Sequence, residues 1–189
     1  AMAGDVLAVG GIDPTGGAGV TADLLALALT GARGRAVVAV ITSQGGGRAA
    51  RTWPVPGPAL AGQLEAAASD RVPDVVKAGA LGGAPQVEAL ASFLEGSPGI
   101  PLVLDPVIEA TAGGRLLDDA GVAALKARLL PLARVMVPNL AEAAALAGTG
   151  AEARDRDGME EAASRLLGLG PEWVLLKGGH LPGDPADLL

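Results

Sequence analysis

Short aliphatic runs alternate with longer stretches of helical spacing along the chain. The runs at 5–10, 36–41, 74–79, 101–105, 134–137 and 172–177 are nearly continuous in apolar residues. Such runs suit parallel strands covered by helices on both faces, because strands with one wet face alternate apolar and polar residues. Between them the spacing predicts helices over 18–30, 58–70, 84–95, 119–130, 140–147 and 158–168. The alternation predicts an α/β fold, a three-layer αβα sandwich with a mainly parallel central sheet.

Details sharpen this outline. Leu24, Leu25, Leu27 and Leu29 make the first helix apolar around much of its circumference, which predicts deep burial. Gly31 follows where a helix C-cap glycine would sit. In the fourth helix Val122, Leu125, Leu129 and Leu130 recur at helical spacing, and Pro131 marks the stop. Residues 43–57 and 148–157 read as loops. The first is long for a connection in a compact domain, so it is either functional or a plain surface excursion. No internal repeat is evident, and the length of 189 residues suits a single domain over 1–189.

Composition narrows the chemistry. Trp53, Phe93 and Trp173 are the only aromatic side chains, so the core must be aliphatic. A net charge of −7 argues against nucleic acid as a partner, since no basic patch is available to neutralise phosphates. The absence of cysteine excludes disulfides, Cys-ligated metals and a thiol nucleophile, and a lone His180 excludes a multi-histidine metal site. No apolar run approaches the ~20 residues of a membrane helix, and no leader pattern opens the chain. The expectation is a cytoplasmic protein with no membrane partner, with homodimer formation left open.

In an open parallel sheet, ligands bind beyond the carboxyl ends of the strands. The residues at those ends are polar for so apolar a chain. Gly10-Gly11-Ile12-Asp13-Pro14-Thr15-Gly16-Gly17-Ala18-Gly19 follows the first strand, and Thr42-Ser43-Gln44 the second. Gly79 follows the third and Asp105-Pro106 the fourth. Pro138-Asn139-Leu140-Ala141-Glu142 follows the fifth, and Lys177-Gly178-Gly179-His180 the sixth.

The glycine-rich loop lets backbone amides approach a ligand at a helix amino end. It is not a Walker A loop, because no Lys-Ser or Lys-Thr follows. Gly17-Ala18-Gly19-Val20-Thr21-Ala22 fits the dinucleotide pattern G-x-G-x-x-A, yet no acidic residue for a ribose occurs between Asp23 and Glu65. Arg33 or Arg35 would have to serve a 2′-phosphate, which keeps an NADP-dependent oxidoreductase as an outlying alternative. A ligand-free strand-to-helix turn is the plainer reading of the loop. Asp23 is either an exposed helix position or a ligand group, and Gln44 is a wet loop amide or a reader of a heterocycle edge. Asp105 and Glu142 at neighbouring strand ends are of the type that holds Mg2+ with phosphate oxygens. Asn139 with Glu142 three residues on also reads as a capping box. Lys177 is a phosphate ligand or a surface lysine.

Taken together, the blocks at 10–23, 42–44, Val103–Val107, Val137–Glu142 and Leu175–His180 closely resemble the hydroxymethylpyrimidine/phosphomethylpyrimidine kinases of thiamine biosynthesis, in the ribokinase-like superfamily. The resemblance implies a transferase that uses ATP and magnesium to phosphorylate 4-amino-5-hydroxymethyl-2-methylpyrimidine and then its monophosphate. It places Gly11, Asp23, Gln44, Ala80 and Val107 in the pyrimidine pocket. Asp105, Asn139, Glu142 and Lys177 fall on the nucleotide side, with Asp105 and Glu142 toward the metal. The sequence departs from the family at Ala80, usually methionine, and at Gly45, usually asparagine, and both changes loosen the pocket. The family's anion hole and catalytic base belong to a segment expected beyond Leu189, so no catalytic residue is assigned within the chain, and a chain lacking its C-terminal portion is the expectation. A pyridoxal kinase of the same fold and a non-catalytic pyrimidine or nucleotide binder are the alternatives.

Overall fold

The computed structural model of the chain describes residues 4–45, 48–110, 113–179, 181 and 186–189. In chain order the elements are β1 (Asp5–Ile12), α1 (Gly19–Leu29), β2 (Arg33–Gly45), β3 (Arg48–Pro54), α2 (Gly57–Ala68), β4 (Val75–Ala78) and α3 (Ala84–Glu95). There follow β5 (Leu102–Leu104), α4 (Asp119–Ala124), β6 (Ala133–Met136), α5 (Leu140–Ala147), α6 (Arg156–Leu167) and β7 (Trp173–Val174). The strands form one sheet in the order β3-β2-β1-β4-β5-β6-β7. All neighbours run parallel except β3, which is antiparallel to β2.

The chain winds one way from β1 and resumes on the other side of β1 at β4. That makes the β1–β4 boundary a topological switch point, where crossovers leave in opposite directions and open a crevice at the strand ends. One face of the sheet is closed. Leu7, Val9, Val37, Val76, Ala78, Leu102, Leu104, Met136 and Val174 are all buried and join Leu60, Leu64, Val87, Leu90 and Leu125 from the helices in one aliphatic core. On the other face α1 packs over β1 and β2. Farther along it, Val75, Val103 and Val135 are half-buried and Trp173 is exposed.

Glycine is required where β1 meets α1. Gly19 has φ +61°, and a Cβ there would collide with the carbonyl oxygen of Gly11. Ile12 and Gly19 form an isolated bridge across this turn, which brings the amino end of α1 against the end of β1.

Several elements differ from expectation. The first helix is not deeply buried: Val20 is its buried residue, whereas Leu25 is 59% and Leu29 90% exposed. The reason is that α1 meets the sheet through one side only, with Leu24 and Leu27 packed over Gly34, whose own Cβ would lie 2.7 Å from Leu24. The segment 43–57 is not a loop. Ile41, Thr42 and Ser43 pair with Trp53, Thr52 and Arg51, so β2 runs on and β3 returns beside it, with residues 46–47 outside the described part. The helix expected over 119–130 ends at Ala124 and continues as a π turn over Leu125–Leu129 and a 3-10 turn over Leu130–Leu132. Pro131, lacking an N–H, cannot extend the regular ladder. The last regular strand is two residues, Trp173–Val174, although Leu175 and Lys177 still donate to the Met136 and Pro138 carbonyls while Leu176 bridges Leu188 on its other side. Asp155 caps α6, which starts at Arg156 inside the stretch expected to be a loop.

Candidate functional site

The glycine-rich loop after β1 is folded around Asp13. Its carboxylate accepts from the Thr15 amide at 2.8 Å and from the Thr15 hydroxyl, while Thr21 Oγ1 donates to the Asp13 carbonyl. Asp13 is 5% exposed, so these bonds keep a buried carboxylate solvated by protein donors. The loop delivers the chain to the amino end of α1, whose N-cap, Ala18, offers no side-chain acceptor. No side chain caps this eleven-residue helix, and the Ile12–Gly19 bridge ties its first residue back to β1, so the first turn faces what lies in front of it.

What lies in front is a cleft of about 400 Å³ at the switch point. Gly11, Ile12, Asp13, Ala18 and Gly19 form its loop side. Thr42, Lys77, Gly79 and Ala80 line its floor, and Asp105, Val107 and Glu109 the far wall. Asp23 reaches in from the second turn of α1 and takes both of its contacts from Lys77 Nζ, at 2.9 and 2.8 Å. Thr42 Oγ1 donates to the Ile12 carbonyl at 2.8 Å and ties the floor to the loop.

A second pair continues the wall. Lys177 Nζ donates to Asp105 Oδ1 at 3.1 Å, and Lys177 bridges Asn139 between strands. Asn139 caps α5: its Oδ1 accepts from the Glu142 amide at 2.8 Å, while its own amide donates to Glu142 Oε2 at 2.8 Å. This is the reciprocal capping box expected from the sequence. Glu142 is 6% exposed, and burial pushes its carboxyl above the ordinary range. The Asn139 amide opposes that shift, nearby Asp105 adds to it, and Lys177 and the Ile108 amide oppose it. No set of three or more metal-ligating side chains gathers among the described residues. Asp105 and Glu142 nonetheless supply the hard oxygen donors, few in number, that suit a magnesium ion otherwise held by water and phosphate.

Of the residues singled out in the sequence, Gly11, Asp23, Ala80, Asp105 and Val107 line the one cleft. Lys177, Asn139 and Glu142 adjoin it through the Asp105 pair. Position 44 falls in β2, and the Gln44 side chain lies outside the described part of the structure. Arg33 and Arg35 are not available to a ligand of the glycine loop. They stand at the opposite, amino ends of the strands, where Asp5 takes Arg35 at 2.8 Å and Arg33 at 3.8 Å. The NADP alternative loses its arginines. Lys77 is not among the residues singled out in the sequence, because it lies inside the run 74–79 rather than at its end; a lysine within the apolar stretch Val-Val-Lys-Ala is the available signal.

No helix among the described residues is long and apolar enough to cross a membrane. The fold is that of ribokinase-like small-molecule kinases. The family model of phosphomethylpyrimidine kinase matches residues 13–189, and the chain belongs to that family. A hydroxymethylpyrimidine/phosphomethylpyrimidine kinase of Streptomyces coelicolor is 39% identical over 184 residues, covering 97% of this chain and 67% of that protein. The crystal structure of phosphomethylpyrimidine kinase from Clostridium difficile 630 superposes with TM-score 0.86 at 33% identity, covering 97% of this chain and 78% of the other. The pyridoxal kinase from Staphylococcus aureus in complex with AMP-PCP and pyridoxal gives TM-score 0.88 at 29% identity, covering 100% and 68%. The chain spans 38% to 67% of the length of the first curated relatives it matches.

Proposed function

We propose that this protein is a cytoplasmic kinase that transfers the γ-phosphoryl group of ATP to 4-amino-5-hydroxymethyl-2-methylpyrimidine and then to its monophosphate. The observation that carries the reading is the convergence of two acid–lysine pairs, Asp23–Lys77 and Asp105–Lys177, on one cleft at the switch point.

The two pairs divide the work. The glycine loop, Asp23, Ala80 and Val107 surround the space for a small ring, with Gln44 assigned to the ring edge on family resemblance. Asp105, Lys177 and the Asn139–Glu142 box face the phosphates, where the chemistry is mostly positioning and charge stabilisation. Magnesium, when bound by Asp105 and Glu142, supplies charge neutralisation at the phosphate oxygens. Its binding requires Glu142 ionised against the pull of burial, and Lys177 and the two backbone amides favour that form. No side chain of the cleft is assigned as the base.

Pyridoxal is the second substrate to weigh. A solved relative holds it, and position 80, which lines the cleft, carries only the methyl group of alanine. A coupled ADP-release assay with the pyrimidine alcohol and pyridoxal as competing acceptors tests both. Turnover with the pyrimidine preferred is expected. Preference for pyridoxal would replace the substrate, and no ADP release with either would overturn the kinase reading.

A further inference from the structure

Lys77 stands in mid-sheet, opposite Ala8 of β1 and Val103 of β5. A lysine at such a place needs a partner for its ammonium protons. Asp23 provides that pairing through both oxygens, and no other described residue accepts from Lys77 Nζ. An ammonium has three protons, so one carboxylate leaves at least one unused.

The pair is also reachable. The Lys77 and Asp23 side chains are 28% and 22% exposed, and both line the cleft. Beside them stand residues with little or no side chain. A Cβ at Gly79 would lie 3.3 Å from Nζ, and Ala80 follows it. The pair is left bare on the side where a ligand would enter.

We propose that Lys77 is a substrate-binding residue: Asp23 holds its ammonium in place, and the remaining proton is donated to a ring nitrogen or hydroxyl oxygen of the heteroaromatic alcohol. The inference rests on the function proposed above and names a side chain that reads the substrate. Because Asp23 balances the charge, this end of the cleft favours an uncharged ring over an anion.

Lys77→Met alone would leave the Asp23 carboxylate uncompensated beside the ring, so the test compares variants that both lack that carboxylate; in D23N the amide oxygen still accepts from the Lys77 ammonium. Calorimetry on the complete product of the gene measures affinity for the pyrimidine alcohol and for AMP-PCP in D23N and in D23N/K77M. Loss of a charged donor should weaken the alcohol about 10- to 100-fold between the two variants, with AMP-PCP changed by less than about twofold. K77R, which keeps the charge but moves the donor, should raise KM for the alcohol more than it lowers kcat, and it reports the contact even where the double variant does not fold. Equal alcohol affinity in D23N and D23N/K77M, or an unchanged KM in K77R, would overturn the role of Lys77 while leaving the kinase reading intact. An unmodified protein that binds no ring alcohol would overturn both.

Discussion

The two faces of the sheet are built to different ends. On β5, Leu102 and Leu104 point into the closed core and are fully buried, while Val103 and Asp105 between and after them point to the other side and are half-buried. The same split runs through β4, where Val76 and Ala78 are sealed and Val75 and Lys77 are not. Strand alternation places Lys77 and Asp105 on the less covered face, beside the end of β1 and the start of α1. A charged side chain is tolerated there because water or a ligand reaches it, whereas on the closed face it would be stranded. One face holds the fold together, and the other has room for chemistry.

The sharpest way to break this contrast is a pair of truncations one residue apart. Leu104→Ala should lower unfolding free energy by about 3 kcal/mol, since a fully buried leucine leaves a cavity. Val103→Ala should cost about 1 kcal/mol, as less area is lost to a site that is already half open. Urea unfolding measures both, and equal losses would mean that the faces are equally packed.

Next in size is the proposed phosphate side. Asp105→Asn should reduce turnover about 100-fold with little change in melting temperature, because it removes a charge from the open face without touching the core. A large fall in stability instead would make Asp105 a structural residue. Asn139→Ala should cost about 1 kcal/mol by removing the acceptor for the Glu142 amide, again read by urea unfolding.

The smallest effect is a pH slope. Burial raises the Glu142 carboxyl above its ordinary value of 4.5, so the folded protein holds this proton more tightly than the unfolded chain. Its contribution to stability is then fully present below that ordinary value and is lost as pH rises through the raised one. Unfolding free energy followed upward from about pH 4 should fall more in the unmodified protein than in E142Q, whose amide does not ionise over this range. Parallel curves would contradict the assignment of that slope to Glu142.

The strand positions and the capping box were legible because each rests on local chemistry. Apolar runs between glycines and prolines mark strands, and Asn139 with Glu142 marks a helix start, whatever the rest of the chain does. The hairpin return of β3 was hidden: Arg51, Thr52 and Trp53 become strand only by pairing with Ser43, Thr42 and Ile41, and the intervening glycines read as loop. The exposure of Leu25 and Leu29 was hidden for a related reason, since apolar residues around a helix do not say which side meets the sheet. In the site, residues at strand ends could be found by the switch-point rule. Lys77 could not, because it lies one residue inside β4 and meets the cleft through a long side chain that reaches Asp23.

The central claim is that a ring alcohol and the phosphates of a nucleotide meet over the open face, between Asp23–Lys77 and Asp105–Lys177. A crystal structure of the protein with hydroxymethylpyrimidine and a non-hydrolysable ATP analogue tests it most directly. The account predicts the ring against Gly11, Ala80 and Val107 and the phosphates beside Asp105 and Lys177. Density for either ligand elsewhere, such as in the hollow between α5 and α6, would contradict it.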